Sequence, residues 1–211
     1  MESVAFIIAL AIAYQALKGY RLTKQRTLWY VHFSFAVLSA GLLIDSLTGF
    51  LGILARTMRG TLSLTWVGYS IYFLAQLLAY SMLIYAYVSQ TRTLGTTPVV
   101  ATLASLLGFA TQASPAQGIR LLGPLVEYHP IPETLLLFLV LYIAVQTGMN
   151  YLSTKDRNAF LVFLAFLLLT LSHLFFILQP FGALLFVIGH ILQLLGFVSL
   201  FTMLLRVTRS Q

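Results

Sequence analysis

Four glutamines, two histidines and an aspartate hold most of this chain's prospects for chemistry, because each stands in a stretch that is otherwise apolar. Gln76 and Gln193 are the leading pair. Two carboxamides can each donate and accept hydrogen bonds, which suits recognition of a polar solute; the same groups also bind membrane helices to one another. Gln15 and Gln146 form a second pair, open to the same two readings. His173 and His190 sit on consecutive apolar segments that turn at Gln179-Pro180. At about 1.5 Å per helical residue their depths would differ by a few ångströms. Two neutral imidazoles facing each other could ligate a b-type haem, or a metal ion with help from Asp45. The plainer reading is a pair of hydrogen-bonded histidines in a helix interface, and a zinc site would normally want a third firm ligand.

The elements that must position these groups are membrane helices. The chain has 211 residues, of which 60% are hydrophobic and only 8% charged. Its mean hydropathy is +0.94. Soluble domains carry roughly 25% charged residues, so this composition cannot coat a water-facing surface. The net charge of +7 is explained by basic loops flanking the spans, without a nucleic-acid partner. With no cysteine, disulfides, thiolate metal sites and cysteine nucleophiles are excluded.

Seven segments are long and apolar enough to span a bilayer: 4–17, 28–50, 62–88, 98–111, 134–152, 159–178 and 181–205. With the N-terminus outside, nine Lys and Arg residues fall on the inner side and three on the outer, which predicts N-outside and C-inside. Trp66 and Tyr69 fall near the outer boundary, at aromatic-belt positions. The longest connection, Ala113–Pro132, is predicted outside as an ordered cap or short linker, and His129 falls in it. No acid falls deep inside a predicted span, so any solute movement is expected to be facilitated and not proton-coupled.

The sequence also repeats itself. Ile12 to Arg26 reads IAYQALKGYRLTKQR and Ile143 to Arg157 reads IAVQTGMNYLSTKDR, an offset of 146 − 15 = 131 positions. Gln, Tyr, Thr, Lys and Arg all match, and polar matches are not cheap in so apolar a chain. Gln76-Leu-Leu-Ala-Tyr80 returns as Gln193-Leu-Leu-Gly-Phe197 at an offset of 193 − 76 = 117. Spans 1–3 and 5–7 are therefore expected to be parallel copies, about 1–92 and 133–211, joined by a connector of about 93–132 with its outer loop. A pseudo-two-fold axis along the membrane normal would relate them, with a site at their interface near mid-membrane.

This three-plus-one-plus-three layout, with Gln76 and Gln193 on its third and seventh spans, resembles the SWEET and PQ-loop transporters. In SWEET-like sugar transporters a pseudo-symmetric pair of asparagines on those spans flanks the central site, so the resemblance implies a solute site between the two glutamines. The prolines that family uses in spans 1, 2, 5 and 6 are absent here.

The whole chain thus reads as one all-α, seven-helix domain in the plasma membrane. Its partners are the lipid bilayer, a small polar solute and a second copy of itself in a homo-oligomer. Transport leads; a haem b electron-transfer protein with His173 and His190 as axial ligands and a seven-helix sensor or complex subunit are the alternatives. Span 7 has no lysine for a retinal Schiff base, and no HExxH or Gly-rich phosphate loop occurs. No catalytic residue is assigned.

Overall fold

The computed structural model describes residues 2–54, 61–90 and 130–209. These form six α-helices: α1 (Glu2–Thr23), α2 (Arg26–Leu54), α3 (Thr61–Gln90), α4 (Pro130–Thr154), α5 (Arg157–Ile177) and α6 (Ala183–Arg209). All six are long and apolar enough to cross a membrane. The expected fourth span, 98–111, lies outside the described residues. The expected segments are otherwise present, but longer at their ends. α4 starts at Pro130, inside what the sequence suggested was loop. Pro130 and Pro132 fit there because the first-turn N–H groups have no acceptor within the helix. The last helix starts at Ala183, not Phe181, because a 3-10 turn at Gln179–Phe181 precedes it.

Each helix packs on the next and α6 closes on α1, giving a ring of six. On α1 the inward face is Ala5, Ala9, Ile12, Ala13, Ala16 and Gly19, while Val4, Ile7, Leu10 and Tyr14 face outward. Small residues inside and large apolar ones outside is the membrane arrangement: lipid solvates the large side chains, and helices associate by close packing. Gly41 of α2 shows how close. A Cβ there would lie 2.6 Å from the Ala75 Cβ of α3. Gly41→Val is expected to destabilise the protein by about 1–3 kcal/mol through overpacking. Thermal unfolding in mild detergent would read this, and an unchanged transition would mean that α2 and α3 do not meet at this point.

Two turns share one construction. Lys24 and Lys155 follow α1 and α4 with φ of 57° and 51°, the left-handed conformation that ends helices. Their N–H groups donate to the Tyr20 and Tyr151 carbonyls at 2.8 and 2.7 Å. In each turn the preceding threonine hydroxyl donates back to its own helix and accepts from the residue after the lysine. Tyr20 packs on Trp29 and Tyr151 on Phe160. In the second turn Asp156 accepts from the Asn158 and Ala159 N–H groups and starts α5.

The helix ends are ordered by contacts between elements. Ser3 of α1 hydrogen-bonds Ser46 of α2 at 2.8 Å, and Tyr69 of α3 bonds Glu133 of α4. Glu2, Asp45 and Glu133 therefore share one end of the ring. Lys18, Arg21, Lys24, Arg26, Lys155, Arg157, Arg206 and Arg209 gather at the other, where Gly19 faces Thr208. α3 and α4 both start at the acidic end.

Candidate functional site

The middle of the ring is polar where side chains of α3, α4, α5 and α6 converge. α3 places Tyr69, Tyr72, Gln76 and Tyr80 at spacings of three and four, which puts them on one helical face. Gln76 donates from Nε2 to the Tyr72 hydroxyl at 3.0 Å, and Gln193 of α6 donates from Nε2 to the same oxygen at 2.9 Å. The two glutamines are buried, at 2% and 3% exposure. The leading pair of the sequence reading is thus brought together, with a tyrosine hydroxyl between its members.

Beside this cluster runs a second chain of hydrogen bonds. His173 of α5 is 1% exposed. Its Nδ1 lies 2.7 Å from Glu133 Oε2, and its Nε2 lies 3.3 Å from the Tyr80 hydroxyl. Tyr80 stands edge-on to the imidazole, with centroids 5.9 Å apart. The other carboxylate oxygen of Glu133 accepts from the Tyr69 hydroxyl at 3.2 Å. The side chain of Glu133 keeps 13% exposure, so the pair reaches from a dry interior toward the acidic end. The Gln76 amide also makes a side-chain contact with the Tyr80 hydroxyl. The full order is Tyr69, Glu133, His173, Tyr80, Gln76, Tyr72, Gln193. Glu133 stands one residue before the segment expected from the sequence, and the extra turn of α4 before Thr134 lets it pair with a buried histidine.

The other candidates are placed elsewhere. His190 donates from Nδ1–H to the Phe186 carbonyl at 3.0 Å. Phe176 packs edge-on against both imidazoles, with centroids 6.1 Å from His173 and 4.9 Å from His190. Both ring nitrogens of His173 have partners already, so this arrangement offers no free nitrogen for haem iron from that side. Asp45 sits in α2 near Glu2, within electrostatic range of it. Among the described residues no three of His, Cys, Asp and Glu come together as metal ligands. Gln15 is partly buried in α1, and its Oε1 is buried without a hydrogen-bond partner. Gln146 is partly buried in α4. Neither touches the central cluster. His32 is tied to the Ala13 carbonyl, 2.9 Å away, joining α2 to α1.

Sequence reasoning missed Glu133, Tyr72 and Tyr80, and treated Tyr69 as a belt residue. One signal was present: three tyrosines and a glutamine on one face of α3, two of those tyrosines well inside the span.

The fold defines the class: a multi-pass α-helical membrane protein with a polar, hydrogen-bonded centre. No protein-family profile matches the chain, and no curated protein or solved structure matches it.

Proposed function

We propose that this protein is a transporter or facilitator of a small polar solute, with its central site at Gln76, Tyr72 and Gln193 between two repeated halves. One observation bears most of the weight. Two glutamines from corresponding places in the sequence donate to a single hydroxyl near mid-span. Donors that share one acceptor can be recruited by a solute that supplies more.

The duplication has local support. The Lys24 and Lys155 turns are built alike. Ile12 and Ile143, and Leu38 and Leu169, are fully buried pairs at the offset of 131; Tyr80 and Phe197 are one at 117. Helix neighbours map onto one another when the halves are exchanged: α1 on α2 becomes α4 on α5, and α3 on α4 becomes α6 on α1. The halves keep the glutamine pair and depart from each other at its tyrosine and histidine neighbours. His173 corresponds to Leu42, Tyr72 to Gly189 and Tyr80 to Phe197. Duplication supplied the frame and the glutamine pair, and later substitution supplied its tyrosine and histidine neighbours. In this reading a fourth crossing lies within residues 91–129, the acidic end faces outward across the plasma membrane, and the layout is the one that resembles SWEET and PQ-loop transporters.

The test is solute uptake into proteoliposomes, with a panel of neutral sugars, polyols and amino acids. Gln76→Leu or Gln193→Leu is expected to abolish uptake of the transported compound while the protein still elutes as a folded species in detergent. Uptake unchanged in both variants would remove the glutamines from the site, and no uptake of any compound by the parent protein would overturn the transport reading.

A further inference from the structure

Glu133, His173 and Tyr80 are not needed to bind a neutral solute at the glutamine pair, yet they sit one contact away from it. We propose that Glu133 and His173 together bind one exchangeable proton, and that this proton reverses the hydrogen bond between His173 and Tyr80 and so resets the Gln76–Tyr72–Gln193 cluster. The link from proton to solute rests on the transport reading; the proton site itself does not.

The geometry leaves few arrangements of hydrogens. With Glu133 ionised and His173 neutral, Nδ1–H donates to Glu133 and Nε2 accepts the Tyr80 O–H. Adding one proton to the pair gives two microstates. In one, an imidazolium faces a carboxylate, and Nε2–H donates to Tyr80. In the other, the Glu133 carboxylic acid donates to Nδ1, which forces the tautomer with hydrogen on Nε2, and Nε2–H again donates to Tyr80. Wherever the proton rests, the Tyr80 bond reverses. The Tyr80 hydrogen must then turn to another acceptor. Gln76 is in reach, and it can accept only through its carbonyl oxygen. An amide that presents oxygen to Tyr80 no longer presents nitrogen there, and its bond to Tyr72 is redrawn. Nothing is oxidised and no heavy-atom bond changes; one proton enters from water through the exposed edge of Glu133 and leaves the same way.

The surroundings favour such a site. The uncharged total of the protonated pair suits a dry interior better than a lone carboxylate. Among the described residues the titratable groups near the pair are Tyr69 and Tyr80 from α3, with Tyr72 beyond Gln76, His190 of α6 behind the Phe176 ring, and Asp45 of α2 within electrostatic range of Tyr69 and Tyr72. The Lys and Arg residues of the described helices lie at the opposite end of the ring.

The test uses full-length protein in liposomes, labelled with 13C and 15N in His and Tyr, and needs no solute. Solid-state NMR spectra are taken on acidification from about pH 8 to about pH 5, where histidines commonly change charge. His190→Asn and Tyr80→Phe assign the signals. The expected result is that His173 Nε2 gains a proton and that the Tyr80 and Tyr72 ring signals shift in the same transition. In Tyr80→Phe the histidine still titrates, but Tyr72 no longer responds. A His173 that keeps one tautomer across the whole range overturns the proposal. So does an Nε2 that gains its proton while Tyr80 and Tyr72 stay unchanged. A clear titration in a protein that moves no solute would remove the transport reading and leave the proton site standing.

Discussion

Glu133→Leu is expected to destabilise the protein by about 3 kcal/mol, the upper end of the cost of leaving a fully buried polar group without its partner. His173 is 1% exposed and, among the described residues, its Nδ1 has the carboxylate, 2.7 Å away, as its polar partner. His173→Leu is expected to cost less, since Glu133 retains 13% exposure and keeps Tyr69 as a hydrogen-bond donor. The double variant is the informative one. Replacing both partners by apolar residues removes the desolvated charges together, so it should cost clearly less than the two single changes added. Unfolding of purified protein in mixed detergent measures all three. Additivity to within about 0.5 kcal/mol would mean that the two side chains do not interact in the folded protein.

Tyr72→Phe is expected to have the second largest effect, although it deletes a single oxygen. Two buried amides donate to that oxygen, so its loss leaves two donors to find new partners. Hydrogen bonds between membrane helices average about 0.6 kcal/mol and reach about 1.7, which puts the expected cost at about 1–3 kcal/mol. Gln193→Leu removes one donor together with its need for an acceptor and leaves the Gln76 bond in place, so it should cost less in stability. The order of the two variants checks the arrangement: equal or reversed costs would mean that Tyr72 is not the shared acceptor. Uptake should fall at least about tenfold in Tyr72→Phe, corresponding to about 1.4 kcal/mol in a site that has lost its organising hydroxyl.

The chemistry near mid-span was partly legible. Gln76 and Gln193 stood out because each interrupts an apolar stretch and because they match across the repeat. Polar residues in such places must find partners, so their mutual approach was a fair expectation. Tyr72 was not legible in the same way. A tyrosine in a membrane helix fits an interfacial belt or lipid-facing packing as well as a core, and only the direction of the α3 face separates these. Glu133 was hidden by a boundary. With two prolines just before it, the segment looked like the end of a loop, and an acid at a loop end needs no explanation. Prolines are tolerated in a first helical turn, and the extra turn swings Glu133 inward onto His173.

The histidines show the limit from the other side. Spacing from the Pro180 turn put His173 and His190 at similar depths, and the structure places them on adjacent helices that both contact Phe176. Depth follows from residue count at a fixed rise, but rotation about the helix axis does not. A few tens of degrees decide whether two imidazoles face one ligand or, as here, one turns to Glu133 and Tyr80 and the other to its own helix.

By itself, the sequence determined the membrane class, the places of six helices and the two matching turns at Lys24 and Lys155. These depend on local quantities: apolar length against bilayer thickness, and residues that end helices. Only the tertiary structure decided which face of each helix is buried. In water a polar stripe marks the outside of a helix. In lipid the outside is as apolar as the inside, so the pattern that would reveal rotation is missing. The closed ring, the shared hydroxyl of Tyr72 and the line from Glu133 through His173 to Tyr80 all depend on that rotation, which close packing at small residues such as Ala9, Ala16 and Gly41 fixes.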